Sequence, residues 1–253
     1  PPSGRKVAVI GGGPAGLACA YTLALAGVAA TVYEARGFAG GMITDAIPAF
    51  RLRAEDFARD LRRIEAARVV IRCGETIDRE RFAALRRDHD AVFVGVGEQR
   101  DRALDIPGED LPAVLPALRF LSAARRGTLP PLHGEVLVIG GGNTAMDAAR
   151  TAVRLPGVGR VHLVYRRTTA EMPAAREELQ AVLAERVVVH ELLAPEAIAP
   201  QGGRLAVTCQ RMRLGEADES GRRRPIPMSG ETVALMCDAV VPAIGQRLAC
   251  GFL

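Results

Sequence analysis

Two glycine clusters, and the charged residues that follow each of them, hold the chemistry this sequence can do. The first, Gly11-Gly12-Gly13-Pro14-Ala15-Gly16, has the spacing G-x-G-x-x-G, with Gly11, Gly13 and Gly16 at the defining positions. The second, Gly140-Gly141-Gly142-Asn143-Thr144-Ala145, has the spacing G-x-G-x-x-A. Glycines so placed serve a tight turn, the close approach of a pyrophosphate and the packing of a helix on a strand. The phosphates then lie against open amides at the positive end of a helix dipole. About 20 positions beyond the first cluster, where such folds place an acceptor for a ribose diol, stands Glu34. The matching place after the second cluster holds Arg166 and Arg167 and no acid. A carboxylate there would repel a 2′-phosphate, whereas two guanidiniums would bind it bidentately. The residue types therefore assign NADP(H) to the second cluster. The first takes an adenosine diphosphate with an unmodified ribose, either FAD or NAD.

Such clusters need a strand before them and a helix after them. Val7-Ala8-Val9-Ile10 feeds the first, a helical pattern follows over residues 17–26, and a strand over 30–33 ends at Glu34. Val136-Leu137-Val138-Ile139 feeds the second, followed by a helix over 144–154 and a strand over 161–165. The second decapeptide repeats the first in register, which implies two dinucleotides or one domain duplicated. Between them, Phe57, Leu61 and Ile64 mark one face of a helix over 54–67, by their spacing of three and four. Strands over 69–72 and 91–94 and a short helix over 80–87 complete the first half. Prolines from Ile106-Pro107 to Leu115-Pro116, and at Pro130-Pro131 after a helix over 117–125, mark a domain crossing. Pro173 is placed to start a helix running to 185. The remainder reads as β, over 187–190, 205–214, 232–236 and 239–243. The segment 215–224, with Glu216, Asp218, Ser220, Gly221 and three consecutive arginines, reads as an exposed hairpin end with a solvated tip.

The totals exclude several classes. With 253 residues the chain is long enough for two domains. A net charge of +4 with basic and acidic residues intermixed argues against nucleic acid as partner. Only 4% of residues are aromatic and none is Trp, so base-stacking platforms are not expected either. The five cysteines, Cys19, Cys73, Cys209, Cys237 and Cys250, form no CxxC, so neither a metal site nor a dithiol redox centre is written here. They read as thiols in a reducing compartment, and with no signal peptide and no membrane-spanning run the expected location is cytoplasmic. The chain starts at Pro1 without Met and ends Gly251-Phe252-Leu253, so a fragment of a longer protein is expected.

Taken together, the motifs resemble the glutamate synthase small-subunit-like FAD/NAD(P)-binding oxidoreductases, a group that includes the reductase part of dihydropyrimidine dehydrogenase. In the first half the resemblance rests on Gly11 to Leu17, Tyr33-Glu34-Ala35, Gly40-Gly41-Met42 and Ile47-Pro48-Ala49-Phe50-Arg51-Leu52. In the second it rests on Gly140 to Asp147, Tyr165-Arg166-Arg167-Thr168, Glu171-Met172-Pro173-Ala174 and Ala243-Ile244-Gly245-Gln246. The stretch from Arg213 to Pro225 looks most like the selenate-reductase-type flavoprotein subunits.

The resemblance implies an α/β fold of two Rossmann-like dinucleotide-binding domains, three-layer ββα, with the second inserted in the first. Residues 1–115 would be the N-terminal part of the FAD-binding domain, 116–238 the NAD(P)H-binding domain and 239–253 a truncated return segment. By resemblance, Gly11, Gly13, Pro14, Ala15, Gly16, Glu34, Ala35, Gly41, Met42, Arg51 and Gly97 would serve FAD. Gly140, Gly142, Asn143, Thr144, Arg166 and Arg167 would serve NADPH, and Gly245 would let the chain pass close to a cofactor. Asp147 and Glu171 stay open, with helix-surface or loop charges favoured over nicotinamide contacts.

The implied activity is hydride transfer from NADPH to FAD, with electrons passed on to iron–sulfur clusters or a partner subunit. The cofactors carry that chemistry, so no catalytic side chain is assigned. The cysteine-rich iron–sulfur domain of the family and its closing Gly-Asp segment and helix do not occur in this sequence, so the last wall of the flavin site would come from residues beyond it or from a partner chain. An assembly or dinucleotide-binding subunit without turnover is the alternative. A single-component NADPH oxidase or flavin monooxygenase would need a substrate-domain insertion that is not seen.

Overall fold

The computed structural model describes residues 2–219 and 221–252; Pro1, Ser220 and Leu253 lie outside the described residues. The chain divides into two compact units, Pro1–Arg100 with Arg247–Leu253, and Asp101–Gln246. The second is inserted in the first.

In the first unit, β1 (Lys6–Ile10), α1 (Pro14–Leu25) and β2 (Ala29–Glu34) form the opening β-α-β run, followed by α2 (Met42–Asp45), α3 (Ala54–Ala66) and β3 (Val70–Cys73). The helix α4 (Arg79–Asp88) then leads to β4 (Ala91–Val94). The strands form one parallel sheet in the order β3-β2-β1-β4. Side chains alternate across a strand. On one face Val7, Val9, Ala30 and Val32 pack with Ala20 of α1 and Ile64 of α3. On the other Ala8, Ile10 and Tyr33 pack with Phe82 and Leu85 of α4 and with Phe252. A central strand buried on both faces must be apolar throughout, which is why residues 7–10 carry no polar side chain.

The strand β5 (Glu98–Asp101) precedes the second unit, and α5 (Ala117–Arg126) follows the proline-rich stretch. The same order of elements then recurs as β6 (Gly134–Ile139), α6 (Asn143–Val153), β7 (Val158–Tyr165), α7 (Arg176–Ala184) and β8 (Val188–Glu191). Three long strands follow, β9 (Leu193–Gln201), β10 (Arg204–Ala217) and β11 (Arg223–Cys237), and then β12 (Ala239–Pro242) and β13 (Gln246–Leu248). The parallel sheet runs β12-β6-β7-β8, and a second, antiparallel sheet runs β11-β10-β9. Leu137, Ile139, Val164 and Val240 of the first sheet share a core with Leu193, Ile198, Val207 and Cys237 of the second. Helices lie on the opposite face, with α6 buried through Ala145, Met146, Ala148, Ala149 and Ala152. This is the three-layer ββα arrangement. Gly202 and Gly203, both at positive φ (59° and 79°), make the two-residue turn between β9 and β10, a conformation that matches the twist of the flanking strands.

The compact units meet at residues 100/101 and 246/247, whereas the resemblance implied domain limits at 115/116 and 238/239. Packing is the reason. Leu104, Ile106, Leu111 and Val114 join the second unit's core, Leu115 N–H donates to Val240 O at 2.8 Å, and β12 pairs with β6. Pro173 does not start a helix. Residues Thr169–Glu171 form a short 3₁₀ turn, and α7 begins only at Arg176. The strand β9, with Pro195 and Pro200, is absent from the sequence reading because proline counts against a strand. It is tolerated here at the edge of the antiparallel sheet.

One polar pair inside the second unit makes a test. His162 Nδ1 lies 2.9 Å from His190 Nε2 across β7 and β8, with Glu135 Oε2 3.7 Å from His162 Nε2. Burial pushes both imidazoles below the ordinary histidine value, Glu135 opposing this at His162 and the neighbouring imidazole adding to it at His190. In the unfolded chain both titrate near about 6.5. The unfolded state therefore binds more protons just below that pH, and the stability that the neutral pair contributes is present above about pH 6.5 and lost as pH falls toward the folded values. We expect the denaturant midpoint to drop between about pH 7.5 and about pH 5.5, and the drop to flatten in a His162→Gln, His190→Gln double variant. An equal drop in that variant would refute the assignment.

Candidate functional site

In the first unit the glycine cluster joins the carboxyl end of β1 to the start of α1. Gly11 has φ +103°, and a Cβ on it would overlap Gly95 O at the end of β4. A Cβ on Gly16 would overlap Gly11 O. Only glycine lets these three backbone stretches close on one another. No side chain caps α1 at Gly13, and no acid lies in its first turn, so the positive helix end stays available to an anion. Pro14, which has no N–H to leave unpaired, and Ala15 are exposed there.

Glu34 is buried at the end of β2, and its two oxygens are spoken for by the backbone: Gly12 N–H donates to Oε2 at 2.7 Å and Arg36 N–H to Oε1 at 2.8 Å. The acid is thereby fixed against the glycine turn. Ala35 beside it is exposed. The loop 37–41 returns to the same place. Gly40 N–H donates to Gly12 O at 2.7 Å, and a Cβ on Gly41 (φ +54°) would sit 2.9 Å from Gly13 Cα. Gly41 is thus needed for backbone packing against Gly13, and Met42 opens the short helix that follows. Arg36 and Asp45 tie that helix to β2 with an ion pair at 3.2 Å, Asp45 being buried. Both escaped the sequence reading. Arg51 is exposed, its N–H donating to Pro48 O at 3.0 Å, and Gly97 (φ +68°) is exposed with open space around it.

The second unit builds the equivalent turn with different neighbours. Gly140 (φ +145°) has no room for a Cβ beside Ala243 O, and a Cβ on Gly141 would sit 2.5 Å from the Tyr165 ring. Gly142 differs from both: a Cβ there would meet nothing within 4 Å, and its φ of −94° suits any residue. Asn143 Oδ1 accepts from Ala175 N–H at 2.9 Å, and Ala174 N–H donates to Gly141 O at 3.1 Å, so residues 174–175 brace the cluster. Those bonds hold the chain past Pro173 out of helix. Gln246 Nε2 donates to Thr144 Oγ1 at 3.3 Å, and Gly245 (φ +117°) accepts from Arg102 N–H at 2.9 Å. Gly245 and Gln246 therefore stand beside the N-terminus of α6, at the carboxyl ends of the strands where open α/β sheets bind ligands.

The two arginines at the end of β7 part company. Arg166 is exposed, whereas Arg167 is buried. Arg167 Nε donates to Arg223 O at 2.7 Å, and its Nη2 pairs with Asp218 Oδ2 at 2.6 Å. Both partners come from the tip between β10 and β11. The tip makes a second ionic contact, Arg223 with Glu171 at 2.8 Å. Glu171 also accepts from the Thr168 hydroxyl, and these two partners hold its carboxyl below the usual carboxylate range. The expected solvated hairpin end is thus docked on the end of β7, and Glu171 is a buried anchor rather than a loop charge. Asp147 is likewise buried. No local signal marks Asp218, because 51 residues separate it from Arg167.

The chain is 44% identical over 256 residues to the NADP(+)-dependent formate dehydrogenase subunit beta of Moorella thermoacetica, a match that spans 99% of this chain and 36% of that one. It is 40% identical to the NADPH-Fe(3+) oxidoreductase subunit beta of Geobacter sulfurreducens, over 97% of this chain and 38% of the relative. It is 37% identical to a Cereibacter sphaeroides protein named for the NADPH glutamate synthase small chain, over 95% of this chain and 60% of the relative. The chain therefore spans little more than a third of the length of the first two of these curated relatives. Among solved structures, FprA of Mycobacterium tuberculosis in complex with NADPH superposes with a TM-score of 0.85 at 21% identity, covering 99% of this chain and 72% of FprA. Lactococcus lactis thioredoxin reductase gives 0.70 at 18% identity, with 98% and 80% covered. These two share the fold. The family described as pyridine nucleotide-disulphide oxidoreductase matches residues 5–251, and the chain belongs to that family.

Proposed function

We propose that this chain is the NADPH-oxidising flavoprotein module of a longer reductase, with FAD on the first unit and NADPH on the second. The observation that carries the reading is the repeated strand, glycine turn and helix with opposite charges at the next strand end, Glu34 in one copy and exposed Arg166 in the other. The residues fit the two groups. Gly11 and Gly16 close the first turn tightly, while Gly13 and the uncapped helix start leave backbone available to a pyrophosphate. Open space beside Gly142 lets a phosphate approach the backbone in the second copy.

Bound FAD would accept a hydride and release electrons singly. The protein's own contribution is placement. Glu34 offers a fixed carboxylate to a ribose diol, Gly41 and Met42 border the glycine turn, and Ala35, Arg51 and Gly97 complete the FAD assignment. On the second unit Asn143 and Thr144 begin the helix that receives the pyrophosphate, and Arg166 faces solvent where a 2′-phosphate would arrive. Gly245 brings the chain close to that helix end. Support for NADPH, and for electrons leaving to a partner subunit, comes from relatives named as beta subunits of NADP-dependent enzymes; an iron–sulfur domain as the acceptor rests on the resemblance alone. The same reading places the module in the cytoplasm, where the five free thiols stay reduced; among the described residues no helix is long and apolar enough to cross a membrane.

Purified protein reconstituted with FAD should be yellow and should bleach when NADPH is added without oxygen. A colourless protein that binds neither FAD nor NADPH overturns the proposal and leaves the assembly subunit as the better reading.

A further inference from the structure

The contacts of Arg167 point to a residue that sets cofactor choice. We propose that Asp218, delivered by the β10–β11 tip, limits how strongly the second site prefers a 2′-phosphorylated nucleotide. This rests on the reading of that site as the NADP(H) site.

The stretch after β7 that carries Arg166 and Arg167 has no acid of its own at the ribose position. The fold supplies one from 51 residues away. Asp218 Oδ2 pairs with Arg167 Nη2 at 2.6 Å while Arg223 O takes Arg167 Nε at 2.7 Å. Nε and Nη2 form the side-on fork with which a guanidinium grips a phosphate bidentately, so that fork is already filled. Asp218 is also held in place by its own turn. Its N–H donates to Arg222 O at 2.7 Å, its carbonyl accepts from Gly221 N–H at 2.8 Å, and Oδ1 accepts from Arg222 N–H at 3.3 Å.

Two consequences follow at the end of β7. The charge of Arg167 is neutralised, which leaves exposed Arg166 to attract the 2′-phosphate. The Asp218 carboxylate, fixed against Arg167, also disfavours an incoming dianion and suits a ribose hydroxyl instead. The neighbouring ion pair of Glu171 with Arg223 docks the same tip through the Arg223 side chain, whereas the Arg167 fork is met by the Arg223 carbonyl and the Asp218 carboxylate. The effects of charge and of docking can therefore be separated by substitution.

The experiment is calorimetric titration of the full chain with NADPH and with NADH, for the wild type, Asp218→Asn, Arg223→Gln and Arg166→Ala. Removing one nearby charge is expected to raise the NADPH-over-NADH affinity ratio roughly three- to tenfold in Asp218→Asn. Arg223→Gln, which removes a positive charge from the same tip and keeps the Asp218 carboxylate, should not raise the ratio. A ratio that stays constant or falls in Asp218→Asn overturns the inference, and so does an equal rise in Arg223→Gln. In either case, loss of the preference in Arg166→Ala shows that the site reading still stands. A wild type without preference, together with an inert Arg166→Ala, overturns the site reading itself.

Discussion

Alanine at Gly142 should leave the melting temperature unchanged and weaken nucleotide binding to the second unit roughly 100-fold, on the order of 3 kcal/mol at about 1.4 kcal/mol per decade. The added methyl meets no protein atom within 4 Å, and the backbone there is in a conformation any residue adopts. On the proposed reading, the space it takes is the space through which a pyrophosphate would reach the helix start. Alanine at Gly16 should do the reverse. That methyl would overlap Gly11 O inside the buried turn, so strand and helix must separate, at a cost of about 3 kcal/mol or more by the upper range for overpacking. Against a total stability of about 5–15 kcal/mol, this should show as a large fall in the denaturant midpoint. The two variants carry one identical chemical change, so thermal melts and nucleotide titrations run side by side separate a glycine kept for packing from one kept for ligand. Equal destabilisation of both would refute the distinction.

Charge reversal at Arg166 is the second large effect. Arg166→Glu should weaken NADPH by roughly 10- to 150-fold, the loss expected for about 1.5–3 kcal/mol of charge-assisted hydrogen bonding. NADH, which has no 2′-phosphate, should change little. The same reversal at Arg167 is expected to behave differently, because that side chain is buried and holds Asp218 and Arg223. An uncompensated acid facing Asp218 should release the hairpin tip, which limited proteolysis between β10 and β11 would reveal. If Arg166→Glu changes NADPH and NADH binding alike, the 2′-phosphate assignment is wrong.

Most of the two β-α-β runs was legible because local rules suffice there. Val7 to Ile10 and Val136 to Ile139 are apolar since both faces of a central parallel strand are buried, and glycine spacing marks the turns after them. The ends of these elements fall within a few residues of the sequence expectation, as for the helix expected over 144–154 and found at Asn143–Val153. Legibility failed where a tertiary partner decides. Pro173 looks like a helix start, yet the hydrogen bonds of residues 174 and 175 to Gly141 and Asn143 keep that stretch extended. The strand β9 contains two prolines and exists because β10 pairs with it. Arg166 and Arg167 are indistinguishable as sequence, and only the fold shows that one is exposed and the other clamped by a hairpin end 51 residues on.

The nesting of the units carries one last consequence. All four strands of the first unit's sheet lie before residue 101, so the inserted unit interrupts none of them. The chain enters that unit through β5 and leaves through β13, and these two short strands pair with each other. The start and finish of Asp101–Gln246 are therefore neighbours, which makes the segment an exchangeable cassette. A different nucleotide preference could be brought in by grafting at these two strands, with the first unit's sheet left as it was.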